Sequence, residues 1–139
     1  MIRPVFLALA ALAFASPAIA DPCKRIPDRG SMPTELRSGA TFSGPVVYVG
    51  DGDGLCVQTI GGIGGDGWVE VRLADFNAPE LSEPDGRAAR DTLSRLTMGR
   101  TLTCRAGRRS YDRVVAHCQL GGRPVGDLMR AAGVREGGR

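Results

Sequence analysis

TFSGPVVYV (Thr41–Val49), GDGDG (Gly50–Gly54) and LCVQTI (Leu55–Ile60) together form the stretch whose reading decides the fold. β-Branched and aromatic residues fill the flanks, and the glycine–aspartate centre supplies a tight turn. The stretch therefore reads as a β-hairpin. Going forward, Gly61–Gly67 is a glycine-rich loop and Trp68–Leu73 alternates as a third strand. Asn77–Pro84 is a loop broken by two prolines. In Gly86–Met98, Ala89, Leu93 and Leu96 recur at helical spacing, with Arg87, Arg90, Asp91 and Arg95 on the wet side. Gly99 ends this helix. Thr101–Arg105 and Arg113–Leu120 read as strands four and five, and Val125–Ala132 as a short helix stopped by Gly133. Five short strands with a helix between the third and fourth predict a mainly β fold with α elements. The expected form is a five-stranded OB-fold-type barrel with one main helix and a short second helix.

Going backward from the hairpin, Asp21–Ala40 is rich in proline, glycine and charge and reads as an irregular arm. Residues 1–20 have the form of a signal peptide. Arg3 is the positive region, Val5–Ala15 the apolar region, and Ala18-Ile19-Ala20 the small-residue cleavage site. That apolar run is too short to span a bilayer, so the expectation is an exported protein, periplasmic or secreted, with no membrane partner. The domain proper is expected over Thr41–Gly133, followed by a polar tail, Val134–Arg139, and a monomer is assumed.

Export makes the four cysteines legible as disulfides. None are spaced as CxxC, which argues against zinc. Of three possible pairings, Cys104–Cys118 is favoured because these residues flank a hairpin centred on Tyr111, which leaves Cys23–Cys56. Charge is split along the chain. Asp21–Asp85 holds five basic and eleven acidic residues, whereas Gly86–Arg139 holds twelve arginines and four acids. An acidic half beside an arginine half suits a metal and a polyphosphate, and equally two halves that attract each other.

The candidate chemistry lies in polar residues that a core does not need. These are Asp51, Asp53, Arg72, Asn77, Glu80 and Arg113, with Tyr111 nearby. Acids at strand ends can hold a hard cation, and separated arginines can grip a phosphate. Each residue has a plainer reading: Asp51-Gly52-Asp53 as a turn, Arg72 as a surface residue, Arg113 as a hairpin charge. Gly62-x-Gly64-x-x-Gly67 matches a dinucleotide fingerprint only as a string, since a strand follows it instead of a helix. An EF-hand reading of Asp51–Cys56 fails because Cys56 stands where glycine is required. With His117 as the single histidine, a catalytic triad has little support.

In their order and spacing these motifs resemble the thermonuclease family, the staphylococcal-nuclease-like domains. The matching strings are Val49-Gly50-Asp51-Gly52-Asp53-Gly54-Leu55 and Arg72-Leu73-Ala74-Asp75-Phe76-Asn77-Ala78-Pro79-Glu80. Gly86-Arg87-Ala88-Ala89 and Tyr111-Asp112-Arg113-Val114 complete the pattern. The resemblance implies an OB-type barrel and calcium-dependent phosphodiester hydrolysis of DNA or RNA. Arg72 and Arg113 would stabilise the phosphate transition state, and Glu80 would activate water. Asp53, Asp51, Asn77 and the Ala78 carbonyl would hold Ca2+, and Tyr111 would line the phosphate pocket. Four features depart from the family pattern. Asn77 replaces an aspartate, Gly54 a threonine and Asp112 a glycine, and the long C-terminal helix is missing. Asp75 is a candidate to restore the charge lost at Asn77. A second reading is an OB-fold module that binds nucleic acid or another polyanion after losing turnover. A third is a disulfide-stapled structural domain.

Overall fold

The computed structural model describes Cys23, residues 31–59 and residues 67–137. The proposed signal segment, part of the N-terminal arm, most of the glycine-rich loop and the last two residues lie outside that set. A single 3-10 turn, Thr34–Leu36, precedes β1 (Thr41–Val49). Then come β2 (Gly54–Gln58), β3 (Trp68–Leu73), α1 (Gly86–Thr97), β4 (Thr101–Ser110), β5 (Arg113–Leu120), β6 (Arg123–Pro124) and α2 (Val125–Ala131).

The strands run in the order β3-β2-β1-β4-β5-β6, and β3 also pairs with β5, which closes a five-stranded barrel. All these pairings are antiparallel except the closing one, in which β5 lies parallel to β3 with Arg72 opposite Val115. β1 serves two neighbours. Thr41–Pro45 pairs with β4 and Val46–Val49 with β2, an irregularity falling between Val46 and Tyr48. A strand that changes partner along its length lets a short sheet curl shut. The fold is the expected OB-type barrel with a main and a short helix; the extra strand β6 is a two-residue pairing against the end of β5.

Alternation sets the core. Val69, Val71 and Leu73 of β3, Leu102, Cys104 and Ala106 of β4, and Val114, Ala116 and Cys118 of β5 all point inward. Helix α1 lays Ala89 and Leu93 on this core, with Leu96 half-buried beside them. Gly99, at φ +74°, takes the left-handed conformation that stops the helix. Both expected disulfides are formed. Cys104 and Cys118 face each other across β4 and β5, and Cys23 is tied to Cys56 of β2. No helix among the described residues is long and apolar enough to cross a membrane. β4 runs five residues past the expected Arg105 because its inward alternation continues through Ala106, and it bulges between Ala106 and Arg109.

Candidate active site

The Gly50–Asp53 turn is pinned from two sides. The Asp53 carbonyl accepts the Leu73 amide at 2.8 Å, joining the turn to the end of β3. A Cβ on Gly52 would stand 2.6 Å from the Ala78 Cβ and 2.7 Å from the Ala89 Cβ, so only glycine allows the turn to seat against the 74–80 loop and α1. Asp53 is consequently buried, at 7% exposure. Its Oδ2 accepts the Ala78 amide at 2.7 Å and pairs with Arg72 Nη2 at 3.1 Å. Burial raises its carboxyl from 3.8 to about 6. The nearby Asp51 adds to that rise, while the Ala78 amide and Arg72 oppose it. Asp51 Oδ1 in turn accepts the Asp53 amide at 3.1 Å.

Arg72, the penultimate residue of β3, is held in place by protein oxygens. Nη1 donates to the carbonyls of Leu73 and Phe76, and Nη2 to Asn77 Oδ1 at 2.7 Å. Asn77 is held on its other side by the chain near its C-terminus. Its amide donates to Glu136 Oε1 at 3.0 Å, its Nδ2 to the Gly137 carbonyl at 3.1 Å, and its carbonyl accepts the Gly137 amide at 2.7 Å. An aspartate could not make the Nδ2 bond, which gives Asn77 a structural reason.

Arg72, Asn77, Tyr111 and Arg113 line one cleft of about 520 Å³, together with Arg108 and Glu136. The closing β3–β5 seam creates it: the two parallel strands are staggered, so the end of β3 overlaps the start of β5, and Arg72, opposite Val115, comes close to Arg113. Tyr111 sits at the β4–β5 tip with φ +55° and is 80% exposed. Arg109 Nε donates to its carbonyl at 2.6 Å. A bulky residue held left-handed stores local strain, a pattern common at binding sites. Arg113 also borders a smaller pocket of about 260 Å³ that contains Asp51 and Glu70.

Glu80 is not among the described residues that line the arginine cleft. It is exposed, its amide donates to Glu83 Oε2 at 3.1 Å, and its carbonyl accepts the Glu83 amide at 2.8 Å. Asp75 also lines the cleft, but β3 ends at Leu73, so it does not share a strand face with Asn77, and its Oδ2 accepts the Gly126 amide at the start of α2. His117 is exposed opposite Arg105. The sequence reading missed Arg108, Arg130 and Glu136. For Arg108 the signal was the Leu102–Cys104–Ala106 alternation, which carries β4 beyond Arg105 into the cleft. Glu136 had no local signal.

The donors near the turn suit a hard cation in kind. They are all oxygen, and two carboxylates crowd each other closely enough to raise Asp53. In number they are few, since no group of three His, Cys, Asp or Glu side chains placed for a metal occurs among the described residues. Two of the oxygens, Asp53 Oδ2 and Asn77 Oδ1, already face the Arg72 guanidinium.

No known family model matches this chain, and no curated protein matches it significantly.

Proposed function

We propose that this is an exported nuclease of the thermonuclease type, which takes a phosphodiester of DNA or RNA into the cleft between Arg72 and Arg113. The observation that carries this reading is the meeting of two arginines 41 positions apart in sequence, beside an exposed tyrosine, on one barrel rim. Guanidinium groups match phosphate oxygens bidentately, and they stabilise the charge that grows in a pentavalent transition state. Arg113 and Arg108 meet the phosphate first. Arg72 joins as its Nη2 exchanges Asp53 and Asn77 for phosphate oxygen. Tyr111 offers a base a stacking face. Glu80 takes the proton of the attacking water, for which the 77–80 loop must swing its carboxylate toward the cleft. A calcium ion held by Asp51, Asp53, Asn77 and the Ala78 carbonyl would supply Lewis-acid polarisation of the phosphoryl oxygen. The two disulfides suit the oxidising compartment that an exported protein reaches.

The position of Glu80 outside the cleft lining favours a second reading, a module that binds polyanions without cleaving them. Hydrolysis of a quenched fluorescent single-stranded DNA, with calcium titrated against EDTA, separates the two. On the first reading, Glu80→Gln, Arg72→Ala and Arg113→Ala each lose at least about a hundredfold in rate while folding normally. If the wild type binds the strand but leaves it intact at millimolar calcium, the second reading stands. Wild-type rates in all three variants would sink the mechanism.

A further inference from the structure

We propose that residues 134–137 are an autoinhibitory strap whose Glu136 carboxylate competes with phosphate for the arginine cleft. This rests on the reading of that cleft as a polyanion seat. Glu136 lines the cleft with Arg72, Arg108 and Arg113. Its Oε1 accepts the Asn77 amide at 3.0 Å and pairs with Arg130 Nη2 at 3.3 Å. Arg130 also stacks 5.6 Å from the Phe76 ring and donates to the Asp75 carbonyl, so the counter-charge sits on a fixed base. The strap is built to lie close. A Cβ on Gly137 would come within 2.9 Å of the Ala78 carbonyl oxygen and 3.0 Å of Pro79 backbone atoms, and Val134 packs on the core behind it.

The strap reaches the arginines through one residue. Three hydrogen bonds join Asn77 to Glu136 and Gly137, and a fourth joins Asn77 Oδ1 to Arg72 Nη2. With the strap down, Asn77 is oriented to hold Arg72, and a negative charge stands in the seat a phosphate needs. An incoming strand repels Glu136 and draws Arg72 away from Asn77, and both changes loosen the strap. Binding and strap closure therefore oppose each other.

The test uses a fluorescein-labelled single-stranded oligothymidylate in EDTA, with Kd read by anisotropy for the full mature chain. Glu136→Gln keeps an oxygen for the Asn77 amide and removes the charge; Gly137→Ala wedges the strap off its seat. Both should bind roughly three- to fivefold tighter than wild type, the upper range for one exposed charge. Arg113→Ala should bind more weakly. Amide hydrogen exchange at Asn77 and Gly137 should accelerate when the oligonucleotide saturates the wild type. Unchanged affinity in both strap variants, with loss in Arg113→Ala, would make the strap purely structural and overturn the inference alone. Slower exchange on binding would make it a closing lid and overturn it too. If Arg113→Ala binds like wild type, the cleft reading falls and the inference falls with it.

Discussion

Burial gives Asp53 an unusual titration. Its carboxyl prefers the neutral form in the folded chain, at about 6 against an ordinary 3.8. A raised folded-state value contributes stability that is complete below the unfolded value and is lost as pH climbs through the folded one. In EDTA, the wild type should therefore lose this contribution between about pH 4 and 6. Asp53→Asn keeps a carbonyl acceptor for the Ala78 amide and cannot ionise. Its stability relative to wild type should rise across that window, as followed by urea melts at successive pH values. A difference between the two proteins that stays flat with pH would show that Asp53 is not buried as described.

At the scale of elements, the Gly50–Asp53 turn, the 74–80 loop and α1 are a single packed unit whose tightest point is Gly52. Gly52→Ala forces a methyl into the Ala78 and Ala89 side chains and should cost about 1–3 kcal/mol by overpacking. Equilibrium urea unfolding measures this, and a loss under a few tenths of a kcal/mol would mean that the unit is looser than drawn. Strands and helices were legible in the sequence because periodicity is local. The Asp-Gly turn, the two-residue alternation of β3 and the Ala89–Leu93–Leu96 stripe each declare themselves within ten residues. Cys104–Cys118 was legible because hairpin partners are near in sequence. The placing of Glu136 against Asn77, 59 residues away, has no such signature, because it depends on how α2 returns the chain to the 74–80 loop. The orientation of Glu80 was hidden for the same reason: a proline-broken loop has no period from which direction can be read.

At the scale of the molecule, the ion pairs at the site, Arg72–Asp53 and Arg130–Glu136, are each drawn from within one half of the chain. Among the described residues, no ion pair joins Arg108 or Arg113 of the cleft to an acid of the first half. Three arginines, Arg72, Arg108 and Arg113, line the cleft. Single-strand binding should then weaken with salt at a log–log slope of about −2. Anisotropy titrations over a range of potassium chloride check this, and a slope near zero would remove phosphate contacts from the picture.

The parallel β3–β5 seam also orders events in time. β1, β2 and β3 can assemble as a meander from neighbouring residues, and β4 with β5 as a hairpin clasped by its own disulfide. Two longer closures follow these local units: β1 onto β4, with Thr41 opposite Arg105, and then, with Val71 opposite Val114, the seam. Arg72 and Arg113 meet only when it shuts. A refolding chain should thus regain most of its circular dichroism before it regains any grip on a nucleic acid strand.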